Sequence, residues 1–449
     1  MDPTIQHLAR YATGCAFGSL SPEAVHEAKR RLIDSVACAA GAWDEPFCAS
    51  LRDVARLYAG TPAARLWGTG ALTSPEMAGF VNGVMVRYLD CSDTWMGRGA
   101  GHPSDMIPTL VAIAEAERRS GADLIAAIVV AYELYCSLCE AAFPTRALDQ
   151  ATAAAVGAAA GAGRLMGLNE SAMGHALSLA LSANLHLYNV RCGDLSDWKG
   201  AAGPNGARNG LFAATLARHG VTGPSAPVEG KGGLHALIGK FEWRTGVPPQ
   251  PLITGTHLKL HPVCFHGQTA VDAAMALHPR VGLASVADIH IETHEAAYQV
   301  MAADQGRWTP TTRETADHSL PFTVAVTLQD GRLLSEAYQA ERLADPTTRA
   351  LMAKIRVSVS PEMTAQFPVR TPARVTVTLD DGSVHAEQLD YPRGHAANAV
   401  SDAELEDKVR ALYGAWGGAR EASAALEVLW ALEHCDSVAK VVDALCPLA

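Results

Sequence analysis

Only 18% of the 449 residues are charged and 6% are aromatic, and no block of like charge or low-complexity tract interrupts the chain. With 49% hydrophobic residues, this composition excludes a disordered or fibrous protein and describes a compact one. Basic patches are missing as well: 36 Lys and Arg face 47 Asp and Glu, a formal net charge of −11. Such a balance offers no field to attract a phosphate backbone, so nucleic acid is not an expected partner. Long apolar runs are also lacking. The most apolar stretch, 124–131, is flanked by Asp123 and broken by Glu133, and the Ala/Gly run 151–163 is short and weakly apolar, so no membrane segment is expected. Residues 1–11 lack the basic start, apolar stretch and small-residue cleavage site of a secretory signal, which points to the cytoplasm. In that compartment the ten scattered cysteines read as reduced, mostly buried thiols, not as a disulfide framework.

What is present is length and helical periodicity. A chain of 449 residues is enough for two or three domains, or one large domain carrying an insertion. Ser21 caps and Pro22 opens a helix whose Val25, Ala28, Leu32, Val36 and Ala40 form one apolar stripe. Further helices are expected at 75–88, 105–120, 122–142, 151–166, 170–182 and 205–218, several ended by glycine as at Gly167 and Gly220. The first half therefore reads as all-α. Glycines four apart, such as Gly157 and Gly161, predict closely packed helix backbones.

From about residue 258 the pattern alternates, at 289–293, 355–359 and 375–379, and Asp381-Gly382 predicts a hairpin turn into 384–387. Helices at 268–277 and 321–328 lie between these strands, and 403–416 and 422–432 return to helix. The expected fold is mainly α: a large helical domain formed by residues 1–257 and 395–449, with a smaller α+β lid domain, 258–394, inserted between them. A cleft at their junction follows.

Three stretches carry chemistry. Asp90-Cys91-Ser92-Asp93-Thr94 precedes a Gly-rich bend and His102-Pro103-Ser104-Asp105, which combines carboxylates, a hydroxyl, an imidazole and a helix start. An Asp beside a His fixes its tautomer and raises its basicity, as a general base requires, although caps and turns use the same residues. Lys199 precedes a Gly-rich loop opening a helix that bears Arg208, a set able to hold a carboxylate. Lys259-Leu260-His261-Pro262-Val263-Cys264-Phe265-His266-Gly267-Gln268 falls where helical pattern gives way to strand pattern. The spacing of His257, His261 and His266 matches no zinc pattern, so no metal is expected, and the helical spacing of Cys136 and Cys139 reads as packing.

Taken together, these stretches resemble the MmgE/PrpD family, and most closely its 2-methylcitrate dehydratase branch. The likeness runs through Tyr88-Leu89-Asp90, Asp93-Thr94-Trp95, Gly101-His102-Pro103-Ser104-Asp105, Phe265-His266-Gly267-Gln268-Thr269-Ala270, Thr293-His294-Glu295, Asp317-His318 and Tyr391-Pro392 with Gly394-His395. The resemblance implies a homodimer with a helical domain and a lid, acting on small polycarboxylates without metal, iron–sulfur cluster or other cofactor. It places active-site residues at Asp90, Thr94, His102, Lys199 and Lys259, while Cys264 stands where a decarboxylase of the family has histidine.

Removing a proton next to a carboxylate builds a second negative charge there, so cations must receive it. Lys199, Arg208 and Lys259 are expected to bind the substrate carboxylates, with Ser104, Cys264 and Gln268 completing the binding set. His102, oriented by Asp90 or Asp93, is the expected base, Thr94 stands beside it, and His266 or His318 is the expected acid for the departing hydroxyl. The expected reaction is loss of water. Epimerisation or decarboxylation by the same groups, or carboxylate binding without catalysis, are the alternatives.

Overall fold

A computed structural model describes residues 1–58, 60–142, 148–246 and 251–449. The fold is mainly α with a minor α+β part, organised around two buried hydrophobic clusters. The first gathers residues from Ile5 to Leu258 and then from Val400 to Cys446. The second runs from Val263 to Val377.

In the first cluster the Gly121–Ala142 and Ala151–Leu165 helices lie side by side, with Trp198–Arg218 packed on the latter. Small residues decide how closely. A methyl group on Gly157 would sit 2.7 Å from the Ala131 carbonyl, and one on Gly206 or Gly210 would sit 2.2 Å from the carbonyl of Ala151 or Ala155. The Gly121–Ala142 helix is long and apolar enough to cross a bilayer, yet 89% of its apolar window is buried inside the protein. Its Glu133 accepts hydrogen bonds from the backbone N–H of Gly246 and Leu252, so its carboxylate is satisfied within the fold. Cys136 and Cys139 are both free and buried on this helix, as packing residues.

The second cluster is covered by the Phe265–Leu277 and Leu320–Asp330 helices and built on a four-stranded sheet. Its order is Ile355–Val359, Val286–Thr293, Ala373–Leu379, Val384–Leu389, the first pair parallel and the others antiparallel. Alternation puts Ile289, Ile291, Val375 and Val377 on the buried face. Gly382, at φ 83°, makes the expected turn.

Two expectations need correction. The first half is not purely α: Ala64–Arg65 pairs with Leu72–Thr73, and Trp95–Met96 pairs with Ala100–Gly101. The second of these tight ribbons carries the Gly-rich bend, and runs of two residues are too short for a periodic signal. The helix expected at 205–218 begins seven residues earlier, at Trp198, and runs through Pro204. The glycines before Pro204 are therefore not an anion-binding loop. They allow close approach: a methyl on Gly203 would overlap the Asp105 carboxylate at 1.8 Å.

The chain returns to the first cluster through the Asp402–Leu412 helix. Lys408 on that helix donates to Asp34 at 2.6 Å and to the carbonyls of Cys91 and Lys259, each at 2.7 Å. One buried ammonium thus ties the C-terminal return to both loops that carry the site.

Candidate active site

The Pro75–Tyr88 helix ends just before Asp90, which takes a left-handed φ of 50°. Such a conformation is unfavourable for a residue with a side chain and persists only where surroundings hold it. Here the carboxylate is surrounded by cations. Arg87 lies at 3.0 Å and Lys199 at 3.3 Å, Lys259 is in direct contact, and His318 Nδ1 is at 3.8 Å. Lys199 also donates to both oxygens of Asp317, at 2.7 and 2.6 Å. Burial pushes both carboxyls up, but the adjacent cations prevail: Asp90 is held well below and Asp317 below the usual carboxylate value. Three permanent cations thus face two carboxylates, which leaves an excess of positive charge inside an acidic protein.

His102 leads into the short helix Pro103–Met106 from the end of the Trp95–Gly101 ribbon. Its backbone N–H is held by the Tyr135 hydroxyl at 2.7 Å, and its Nδ1 lies 2.7 Å from the Asp93 carbonyl oxygen and 3.3 Å from Thr94 Oγ1. A carbonyl can only accept, so Nδ1 carries the proton and Nε2 keeps its lone pair. Burial, Arg87 and Lys259 together push the His102 imidazole well below its ordinary value despite Asp90. It is a neutral base at pH 7.

A cavity of about 190 Å³ opens at this point, between the two clusters. Thr94, His102, Cys264, His266 and His318 line it, and so do the guanidinium-bearing Arg87, Arg98 and Arg191. Asp90, Asp93, Ser104, Lys199, Lys259 and Gln268 are buried but are not among its wall residues. The two lysines expected to bind substrate instead neutralise Asp90 and Asp317 behind the wall. Ser104 donates its backbone N–H to Asp93 at 3.0 Å, and Gln268 donates to the carbonyls of His261 and Val263, holding the loop that presents Cys264. Contrary to the expectation that Asp93 would orient His102 through its side chain, the Asp93 carboxylate takes the Ser104 N–H and, at 2.9 Å, the Tyr132 hydroxyl.

Arg208 is not brought to the cavity. It lies nine residues after Lys199 on one helix, about 14 Å along the axis and half a turn out of phase, and its guanidinium sits 5.9 Å over the Phe80 ring. Arg87 and Arg191 line the cavity instead and were not singled out from sequence. Arg87 is 2% exposed, and its Nε has no hydrogen-bond partner among the described residues. Arg191 is anchored by Asp149, at 2.8 and 3.2 Å. The i, i+3 spacing of Arg87 and Asp90 at a helix end was the available signal.

Asp90, Asp317 and His318 lie close enough together to consider a metal ion. Their carboxylates are already paired with Lys199, Lys259 and Arg87, so a divalent cation would have to displace three positive groups. The cluster is an ion-pair network. His257, His261 and His266 do not converge either: His261 pairs with Asp272 at 2.8 Å, His257 stacks on His395 at 4.1 Å, and His266 packs by His294 and Phe367.

The MmgE/PrpD N-terminal domain family matches residues 6–245, and the MmgE/PrpD C-terminal domain family matches residues 261–434. Among curated relatives, the 2-methylcitrate dehydratase of Cupriavidus necator is 30% identical over 402 residues, covering 82% of this chain and 81% of the relative. The 2-methylcitrate dehydratase of Salmonella typhimurium is 31% identical, covering 81% and 80%. The human cis-aconitate decarboxylase is 25% identical, covering 89% and 85%. Both halves of the family's architecture are thus matched along one chain whose two hydrophobic clusters enclose a cationic, histidine-lined cavity, and the chain belongs to the MmgE/PrpD family.

Proposed function

We propose that the protein is a lyase that takes a proton from the carbon next to a carboxylate of a small polycarboxylate and eliminates water. The observation that carries this reading is the pairing of a neutral His102 with a buried Arg87 whose Nε is unsatisfied, both on one cavity wall. Arg87 and Arg191 hold substrate carboxylates, and His102 Nε2 takes the proton. Charge that develops on the carboxylate falls beside Arg87, whose own counter-ion Asp90 is already shared with Lys199 and Lys259. His318 gives a proton to the departing hydroxyl. Burial opposes its charge, but Cys264 and Asp317 raise the imidazole above its ordinary value, which favours the protonated form that a general acid needs. The similarity to 2-methylcitrate dehydratases supports water loss as the outcome. The reading includes a homodimer in the cytoplasm that needs no cofactor.

A screen of hydroxy-polycarboxylates by proton NMR in deuterated water tests it. New vinylic signals with loss of the adjacent C–H are expected for at least one substrate. Release of CO₂, or solvent exchange at the carbon without elimination, would replace this reading by decarboxylation or epimerisation. Ligand-dependent stabilisation with no conversion would overturn catalysis altogether.

A further inference from the structure

All ten cysteines are free, and one of them, Cys264, is on the cavity wall. Its backbone N–H donates to the Asp317 carbonyl at 3.0 Å, which fixes it beside the Asp317-His318 step. Its thiol and the His318 imidazole line the same cavity and interact electrostatically. His318 Nδ1 is occupied by Asp317 Oδ1 at 2.5 Å, which leaves Nε2 to exchange a proton with sulfur. Cys264 is also the N-cap of the 13-residue Phe265–Leu277 helix, where free amides favour negative charge. Thiol, imidazole and carboxylate are therefore neighbours in that order, the imidazole hydrogen-bonded to the carboxylate, the arrangement that activates a nucleophile.

The charged groups around the sulfur agree with this. Burial opposes a thiolate, and Asp90 opposes it too, yet His318 and Lys259 bring the Cys264 thiol below its ordinary value. Arg87, Arg191 and His266 share the wall with it. The lyase reading assigns Cys264 no chemical step.

We propose that Cys264 is a nucleophile, activated by His318 and Asp317, which forms thioethers with small electrophilic carboxylates drawn in by Arg87 and Arg191. With an α-halocarboxylate, the sulfur lone pair makes the S–C bond, the carbon–halogen bond breaks and halide leaves with its electron pair. The thiol proton has already passed to His318. With an unsaturated dicarboxylate, sulfur bonds to the β-carbon, the π pair moves to the α-carbon and His318 returns its proton there. Neither step needs an oxidant.

Alkylation of the purified full chain by iodoacetate and by iodoacetamide, with peptide mass mapping, tests this without any turnover measurement. Exposed Cys192 serves as the internal reference. At about pH 6.5 an ordinary thiol is only about 1% ionised, so a Cys264 lead over Cys192 on the order of tenfold or more is expected with iodoacetate. The lead should shrink with neutral iodoacetamide and with tricarballylate as competitor, and His318→Asn should abolish it. A Cys264 rate no greater than that of Cys192, or unchanged in a folded His318→Asn protein, would overturn the proposal. Should that variant not fold, the wild-type profile decides: a Cys264 rate that falls about tenfold per unit below pH 8, as for an ordinary thiol, rejects it. A reactive Cys264 in a protein that eliminates no water would leave this inference standing and reject the lyase reading.

Discussion

Asp93 presents its backbone carbonyl, not its carboxylate, to His102, with Nδ1 2.7 Å from that oxygen. A neutral acceptor fixes the tautomer as well as a carboxylate would, but adds little to the basicity of the ring. Burial, Arg87 and Lys259 outweigh both it and Asp90 and hold the imidazole well below its ordinary value. Its Nε2 is therefore available as a base without a prior loss of a proton.

Replacing His102 by Gln removes that base and keeps much of the volume. A loss on the order of 10²–10⁴ in kcat is expected, with an unchanged far-ultraviolet circular dichroism spectrum. Full turnover by a folded His102→Gln protein would remove His102 from the mechanism.

The two histidines titrate in opposite directions. His102 must be neutral to act, and its value is depressed by burial, Arg87 and Lys259, so kcat/KM should hold as the pH falls and fail only well below 6.5. His318 must be protonated to act. Burial lowers its value but Cys264 and Asp317 lift it further, so the alkaline limb should lie above 6.5. An acid limb centred at 6.5 or higher in kcat/KM would contradict the assignment of the base.

Lys408 tests the anchoring of the C-terminal return. Its ammonium satisfies Asp34 and two backbone carbonyls in the interior. Lys408→Met leaves Asp34 buried without its counter-ion, and a loss of about 3–5 kcal/mol is expected from urea unfolding. Adding Asp34→Asn should recover part of that loss, because the stranded charge is what destabilises the single variant. An effect below about 1 kcal/mol would mean that water replaces the pair.

Local regularities were legible. The 75–88 helix and the 355–359 strand fall where the sequence puts them, because Ser74-Pro75 starts the helix and Ile355-Arg356-Val357-Ser358-Val359 alternates apolar and polar side chains. The Trp95–Gly101 ribbon and the early start at Trp198 were not legible, since two-residue strands have no period and Pro204 argues locally against a helix. At the site, Thr94, His102, Cys264, His266 and His318 reach the cavity, whereas Lys199 and Lys259 stand behind it and Arg208 points elsewhere. A positive charge in a Gly-rich stretch announces neither its distance nor its direction from a pocket.

By itself, the order of residues determined the helical and strand segments, the absence of basic patches and the set of chemical groups on offer, because those depend on neighbours within a turn or two of the chain. Only the tertiary structure decided which of those groups share a cavity. Asp90, Lys199, Lys259 and Asp317 meet because folding buries four charges from four distant segments in one place, where each is tolerable only with the others present. The charged neighbours that folding brings to each ring set His102 and His318 on opposite sides of the ordinary imidazole value, and nothing in the spacing of two histidines could have supplied that difference.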